Sequence, residues 1–292
     1  MGSDRPSSRM KFVIALAQID SIPGDIPKNV RKHVEFIRRA RDGGADLVVF
    51  PELSLTGYTI RDANWDSALR PDDKLLDEIV RESRECSVIL GGVEESGEFG
   101  IRNSALFFEK GRGEPVHRKI YLPTYGMFEE SRYFSPGSGV RAFDSLLGRI
   151  GVLICEDLWH LPLPYILARD GAGIIIGIAA SPTRVSGEGT GLHIADVNSE
   201  QHRSYARLLS TYIVFCNRVG FEDGVNFWGG SEVVGPDGDV IVRAKLFEED
   251  MVFAEIDENE IRRARRFSRH FVDDSPSLVI SELERVVRKE KG

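Results

Sequence analysis

Ala172-Gly173-Ile174-Ile175-Ile176-Gly177-Ile178-Ala179-Ala180 is nine residues without one polar side chain. A strand with one wet face alternates polar and apolar residues, so an unbroken run predicts a strand covered on both faces. Ile150-Gly151-Val152-Leu153-Ile154 and Ala45-Asp46-Leu47-Val48-Val49-Phe50 read the same way. Ahead of them come a strand over 11–17 and a helix over 27–41, opened by Pro27, with Val30, Val34, Ile37 and Ala40 on one face and Gly43-Gly44 at its end. Strand, helix, strand is the start of an α/β fold.

The rest of the chain extends this pattern. Residues 72–85 predict a helix with Leu75, Leu76, Ile79 and Val80 inside, and 87–93 a strand. Strands over 103–109 and 114–122, joined by Lys110-Gly111-Arg112-Gly113, form a hairpin, which makes the sheet mixed. Helices follow over 162–169 and 193–209, and strands over 211–216, 231–234, 239–243 and 251–256, with Gly235-Pro236-Asp237-Gly238 as a turn. Residues 183–191, glycine-rich but lacking a following Lys-Ser/Thr, read as a flexible loop, and 258–266 as a basic helix. No linker separates two cores and no repeat is visible. One domain is expected over 10–268, with a disordered extension at 1–9 and an apolar-striped arm at 269–292.

Composition narrows the function classes. The net charge of -8 and pI near 5.4 argue against a nucleic-acid surface. No apolar stretch reaches the roughly 20 residues that span a bilayer, and residues 1–9 lack the apolar core of a secretory signal. Cys86, Cys155 and Cys216 are odd in number and widely spaced, which fits a reducing cytoplasm and no disulfide framework. The six histidines are scattered, with no His-Glu-x-x-His, so no metal site is expected.

Three residue types with chemistry fall at predicted strand ends. Cys155 closes the Ile150–Ile154 run, where backbone amides leave the ladder and are free to face an oxyanion; a free cysteine is also a common core residue. Glu52 follows Pro51, which stops pairing. It is either an exposed carboxylate or, among Leu53, Leu55 and Tyr58, a partly desolvated proton carrier. His117-Arg118-Lys119 is either a solvated edge or a source of positive charge beside Cys155 that lowers the thiol pKa. Five aromatics between Tyr121 and Phe134 are too many for a surface loop and read as a pocket wall.

Phe50-Pro51-Glu52-Leu53-Ser54-Leu55-Thr56-Gly57-Tyr58, Arg118-Lys119-Ile120-Tyr121-Leu122-Pro123 and Leu153-Ile154-Cys155-Glu156-Asp157-Leu158-Trp159, in this order, resemble the motifs of the nitrilase superfamily of carbon–nitrogen hydrolases. Ala180-Ser181-Pro182 and Gly229-Gly230-Ser231 are weaker matches. Residues 122–134 and 155–159 are similar to the glutaminase domain of glutamine-dependent NAD synthetases. No Ser-Gly-Gly-x-Asp-Ser loop of their synthetase half occurs, so a free-standing hydrolase is expected. Thr183-Arg184-Val185-Ser186-Gly187-Glu188-Gly189 departs from the Gly-Lys that those glutaminases tend to carry nearby.

The resemblance implies an α-β-β-α sandwich with helices on the outer faces, no metal, no organic cofactor, and a homodimer or higher homo-oligomer. It implies Cys155 as nucleophile, Glu52 as proton carrier, and Lys119 with the Glu156 backbone N–H facing the oxyanion. Glu130 is the expected second carboxylate, with Glu129 as its rival. Tyr58, Tyr125, Trp159 and Ser181 are expected to line the substrate pocket. The expected substrate is a small primary amide, glutamine-like ω-amides included. The competing readings are a glutaminase subunit that feeds a separate synthetase, a nitrilase or carbamoylase, and an inactive scaffold. The helix over 162–169, with Leu161, Leu163, Ile166 and Leu167, and the tail with Leu278, Val279, Ile280 and Leu283, are expected to meet a second copy.

Overall fold

The computed structural model describes residues 11–58, 66–97, 100–126, 128–183 and 193–290. The expected extension at 1–9, and the expected loop from 184 onward, lie outside the described residues. The strands are β1 (Lys11–Gln18), β2 (Leu47–Val49), β3 (Ser87–Glu95), β4 (Ile101–Glu109), β5 (Arg112–Arg118), β6 (Phe143–Ser145) and β7 (Gly148–Ile154), then β8 (Ile174–Ala179), β9 (Tyr212–Asn217), β10 (Val219–Glu222), β11 (Val225–Trp228), β12 (Glu232–Val234), β13 (Val240–Arg243) and β14 (Asp250–Asp257). The helices are α1 (Ile26–Asp42), α2 (Asp77–Glu82), α3 (Glu130–Tyr133), α4 (Pro162–Arg169), α5 (His193–Leu209), α6 (Glu258–Phe267), α7 (His270–Asp273) and α8 (Pro276–Glu290).

Two six-stranded sheets form, in the orders β14-β1-β2-β3-β4-β5 and β13-β12-β9-β8-β7-β6. Each has a parallel centre, β1-β2-β3 in one and β7-β8-β9 in the other. Each centre carries one antiparallel strand on its first side (β14, β6) and two on the other (β4-β5, β12-β13). The two sheets therefore share one spatial pattern that no sequence repeat announces, although β14 reaches the first sheet from the far end of the chain.

The sheets pack face to face. Ile14, Leu16, Leu47, Val49 and Ile89 of the first meet Ile150, Val152, Ile154, Ile176 and Val214 of the second. The outer face of the first sheet is covered by α1 through Val30, Val34 and Ile37, and that of the second by α4 and α5 through Leu163, Leu167, Ala206 and Leu209. The result is the expected α-β-β-α sandwich, and the unbroken apolar runs are the strands covered on both faces.

Some expectations are corrected. The helix at 72–85 is a 3₁₀ turn, Lys74–Leu76, followed by the six-residue α2, and Leu75 points out at 45% exposure. β5 stops at Arg118, not Leu122, because the Ile120 and Tyr121 N–H groups leave the ladder and donate to Asp157. Leu163 and Leu167 of α4 are buried in this chain's own core, so only Leu161 and Ile166 remain as exposed apolar surface there.

Candidate active site

The carboxyl ends of the parallel strands converge on one edge of the sandwich, where α/β sheets open a crevice for ligands. Glu52 follows β2 in a tight turn, Lys119 follows β5, Cys155 follows β7 and Ala180 follows β8. The Glu52 turn carries Leu53 at φ 49° and presses directly on β3. A Cβ on Gly91 would lie 2.7 Å from Glu52 Cα and 2.6 Å from the Pro51 carbonyl oxygen, so only glycine lets the turn sit there. Cys155 opens a 3₁₀ turn, Cys155–Trp159, with φ 46°, a left-handed conformation rare outside glycine and typical of functional corners.

Glu52 and Lys119 are fully buried side chains, and Glu130 is 4% exposed. Lys119 Nζ donates to Glu52 Oε1 at 2.8 Å and to Glu130 Oε1 at 2.7 Å. Asn103 Nδ2 donates to Glu52 Oε1 at 2.8 Å, and the Ala180 N–H donates to Glu52 Oε2 at 2.8 Å. Tyr58 O–H donates to Glu130 Oε1 at 2.5 Å, while Glu130 Oε2 is buried with no hydrogen-bond partner among the described residues. Glu129, the rival carboxylate, is exposed at the head of α3. A buried ammonium shared by two carboxylates is an arrangement that structure alone rarely favours, since desolvating three charges is costly.

The charges respond to this burial. Burial pulls the Lys119 ammonium down, but the carboxylates of Glu130 and Glu52 push harder and hold it protonated. Burial lifts the Glu130 carboxyl to about 7, with Lys119 opposing and Glu52 adding to the rise. Burial, and then the Glu52 charge, push the Cys155 thiol well up; Lys119 pulls it down and loses. The neighbouring cation does lower this thiol, as expected, but burial first and the Glu52 carboxylate second outweigh it, so the net push is upward. The basic run is not a solvated edge: Lys119 is 1% exposed, His117 is buried, and Arg118 pairs with Glu94. Burial also raises Cys86, to about 12, and Cys216, and both are buried where Cys155 is half-buried.

The expected pocket residues divide into two groups. Tyr58 joins the buried cluster through Glu130 and is held from behind, its backbone N–H donating to Glu222 Oε1 at 2.8 Å. Ser181 sits at the end of β8, its Oγ accepting from Trp228 Nε1 at 3.1 Å. Tyr125 is 47% exposed, and its O–H donates to Glu156 Oε2 at 2.7 Å, which ties the 121–134 segment to the residue after Cys155. Trp159, at the far end of the 3₁₀ turn, is 44% exposed and stands outside the buried cluster.

Asn103, Asp157 and the Ala180 N–H belong to the site and escape sequence reasoning. Asn103 had a signal: with Arg102 and Ser104 it is a polar patch inside the otherwise apolar β4. Asp157 is 0% exposed, two residues after Cys155, and accepts from the backbone N–H of Tyr121 and from His117. Among the described residues no group of His, Cys, Asp and Glu could hold a metal ion, and no helix is long and apolar enough to cross a membrane.

Comparison with known proteins bears on this site. The profile of the family described as Carbon-nitrogen hydrolase matches residues 13–266. The glutamine-dependent NAD(+) synthetase of Thermotoga maritima is 36% identical over 251 residues, covering 85% of this chain and 42% of that protein. The solved glutamine-dependent NAD+ synthetase of Acinetobacter baumannii superposes with a TM-score of 0.76 at 30% identity, over 86% of this chain and 46% of that one. The chain thus spans less than half the length of these relatives. A carbon–nitrogen hydrolase from Helicobacter pylori matches over 94% of this chain and 98% of its own, with a TM-score of 0.79; at 22% identity it speaks for the fold alone.

Proposed function

The chain belongs to the carbon–nitrogen hydrolase family and is an enzyme of that class, and from that premise we propose that it cleaves a small primary amide through a thioester on Cys155. The observation that carries this is the buried Lys119 ammonium held between Glu52 and Glu130 beside a half-buried cysteine in a left-handed turn. Cys155 Sγ attacks the carbonyl carbon while its proton passes to Glu52. Lys119 Nζ and the Glu156 N–H face the oxyanion. The C–N bond then breaks as Glu52 returns the proton to the leaving nitrogen, and ammonia departs. Water attacks the thioester, giving a proton to Glu52; the C–S bond breaks, the acid leaves, and the proton returns to sulfur. Glu130 Oε2, buried and without a partner among the described residues, suits an amide N–H of the substrate. No metal or organic cofactor enters these steps.

Glu156 is a half-buried carboxylate one residue from the nucleophile, oriented by the Tyr125 hydroxyl. It favours a substrate with a cationic group near the amide, such as an α-amino ω-amide of the glutamine type. A second reading is favoured by the relatives: a glutaminase subunit whose ammonia passes to a separate synthetase. Ammonia release measured across amides, nitriles and carbamoyl compounds, with the trapped enzyme weighed by mass spectrometry, tests the proposal. No acyl adduct on Cys155 with any amide would overturn it, and ammonia release only in the presence of a synthetase would move it to the second reading.

Assembly is part of the same proposal. An apolar groove of about 780 Å³ runs between α4, α5 and α8, with Leu161, Ile166, Leu208, Val279, Ile280 and Leu283 along its walls. The groove and the exposed apolar stripe of α8 support a second copy of this chain as occupant, with 269–292 as the arm that crosses. Three free thiols among the described residues support a reducing, cytoplasmic setting.

A further inference from the structure

We infer that Asp157 is a positioning residue that fixes Lys119 against the nucleophile turn, so that ammonium and thiol keep their spacing through both halves of the reaction. The inference rests on the proposed amide hydrolysis and adds to it a residue that never touches substrate. Asp157 lies in the 3₁₀ turn opened by Cys155 and is fully buried. Its Oδ1 accepts from the Tyr121 N–H at 2.9 Å and the Ile120 N–H at 3.2 Å. Its Oδ2 accepts from His117 Nε2 at 2.7 Å and from the Ile120 N–H at 3.3 Å. One carboxylate therefore grips the chain on both sides of Lys119, two residues before it and one and two residues after.

Nothing regular holds that stretch otherwise. β5 ends at Arg118, and among the described residues the backbone bonds at Lys119 itself are its N–H to the Asn103 carbonyl, 2.9 Å, and its carbonyl accepting from the Gly137 N–H, 2.8 Å. Those two bonds tie Lys119 to the first sheet and to the 137 loop. Asp157 ties the same stretch to the second sheet's nucleophile turn. Glu52 and Cys155 come from different sheets, which meet mainly through apolar side chains; polar bonds that cross between the sheets, such as the Ala180 N–H on Glu52 Oε2 at 2.8 Å and the Tyr212 hydroxyl on the Asp257 carbonyl at 3.2 Å, do not hold the backbone around Lys119. A directional polar clamp across the gap is what holds an ammonium within reach of a developing oxyanion, where a shift of one ångström lowers the rate about a hundredfold. Facing a carboxylate that can only accept, His117 Nε2 is the donor of its 2.7 Å bond.

Asp157→Asn tests this. The amide keeps the shape but turns one oxygen into an NH₂ group that faces N–H donors. Amide turnover should fall about ten- to hundredfold in kcat, with KM within about threefold. Alkylation of Cys155 by iodoacetamide displaces iodide at a saturated carbon and forms no oxyanion, so its rate should stay within about threefold of wild type. Hydrogen exchange at the Ile120 and Tyr121 amides should quicken while that of β7 and β8 does not. His117→Ala should show the same pattern more weakly, and His117→Gln, whose amide N–H reaches the same oxygen, should recover most of the lost turnover. Turnover of Asp157→Asn within about twofold of wild type overturns the inference. So does alkylation that falls in parallel with turnover, since Asp157 would then merely support the cysteine turn. If Asp157→Asn does not fold, the two His117 variants decide by the same measures. Should the wild type release no ammonia from any substrate, the proposed function fails, and the exchange measurement alone still decides whether Asp157 holds the Lys119 segment.

Discussion

Replacing Glu130 by glutamine should separate stability from catalysis. The Glu130 carboxyl is buried, shares Lys119 with Glu52, and titrates at about 7 against an ordinary 4.5. The folded protein therefore binds this proton more tightly than the unfolded chain. Stability from this group is fully present below pH 4.5 and is lost as pH rises towards 7. A shift of about 2.5 units at about 1.36 kcal/mol each corresponds to roughly 3 kcal/mol across that window. Glutamine mimics the neutral acid: its oxygen can still accept from Lys119 and Tyr58, and it carries no charge. The stability of Glu130→Gln minus that of wild type, from urea denaturation at a series of pH values, should therefore rise by roughly 3 kcal/mol between pH 4.5 and pH 8. The subtraction cancels the titrating groups that Glu130 does not touch. Over the same range kcat/KM of the variant should be about a hundredfold low, because an N–H replaces the free Oε2 acceptor. The wild-type acid limb near pH 7 should disappear with it, an apparent value that belongs to the coupled carboxylates rather than to one residue. A stability difference that stays flat from pH 4.5 to pH 8 would refute the buried-charge reasoning.

Cys155→Ala should abolish turnover and leave the melting temperature within a few degrees, and native-state alkylation should label Cys155 before Cys86 or Cys216. All three thiols are pushed up, so the order follows exposure, and Cys86 labelled first in a mass spectrum would contradict it. Lys119→Arg should lower kcat about a hundredfold, since a planar guanidinium cannot take the place of a compact ammonium between two carboxylates; turnover kinetics decide. Gly91→Ala should cost about 1–3 kcal/mol and lower activity with it, because the new methyl drives the Glu52 turn off β3; thermal melts and kcat on the same sample check the coupling. Truncation after Ser268 should shift the mass seen by light scattering towards monomer, and an unchanged dimer would remove the arm from the interface.

What was legible in the sequence tracks what burial writes into it. β7, β8 and the helices α1, α4 and α5 lie close to where their periodicity predicts, because each buries a continuous run or a regular stripe. α3 is a single turn among aromatics and β6 only three residues, too short for any period to form. The β10-β11 hairpin turns at Asp223-Gly224, both with positive φ, a genuine hairpin signal whose four-residue strands, broken by Gly220, show no usable alternation. Glu52, Lys119 and Cys155 were readable as strand-end residues, and the fold brings Glu130 to them. Their energetics were not readable. The upward push on Cys155 comes first from burial and then from Glu52, which is more than a hundred residues away in sequence, and neither is visible before the chain folds.

The direction of that imbalance has a consequence for the reaction. Once Glu130 ionises, as pH rises through about 7, two carboxylates flank the one Lys119 ammonium, and a thiolate would add further negative charge in a place that burial already penalises. In the proposed reaction Cys155 therefore keeps its proton until a carbonyl is in reach. When sulfur attacks and Glu52 takes the proton, as proposed, the charge leaves Glu52 and reappears on the oxyanion; the total is unchanged and has only moved. Lys119 sits at both ends of this transfer, 2.8 Å from the carboxylate that gives up its charge and facing the oxygen that receives it. Its ammonium has to reorient little, which is the condition under which a fixed charge in a dry site is most effective. A free-standing thiolate–imidazolium pair would need the opposite environment, one that lowers the thiol. No histidine is hydrogen-bonded to Cys155 among the described residues, and its thiol is pushed up; both fit the proposed use of a carboxylate as base, since burial and the Glu52 charge disfavour a thiolate at rest.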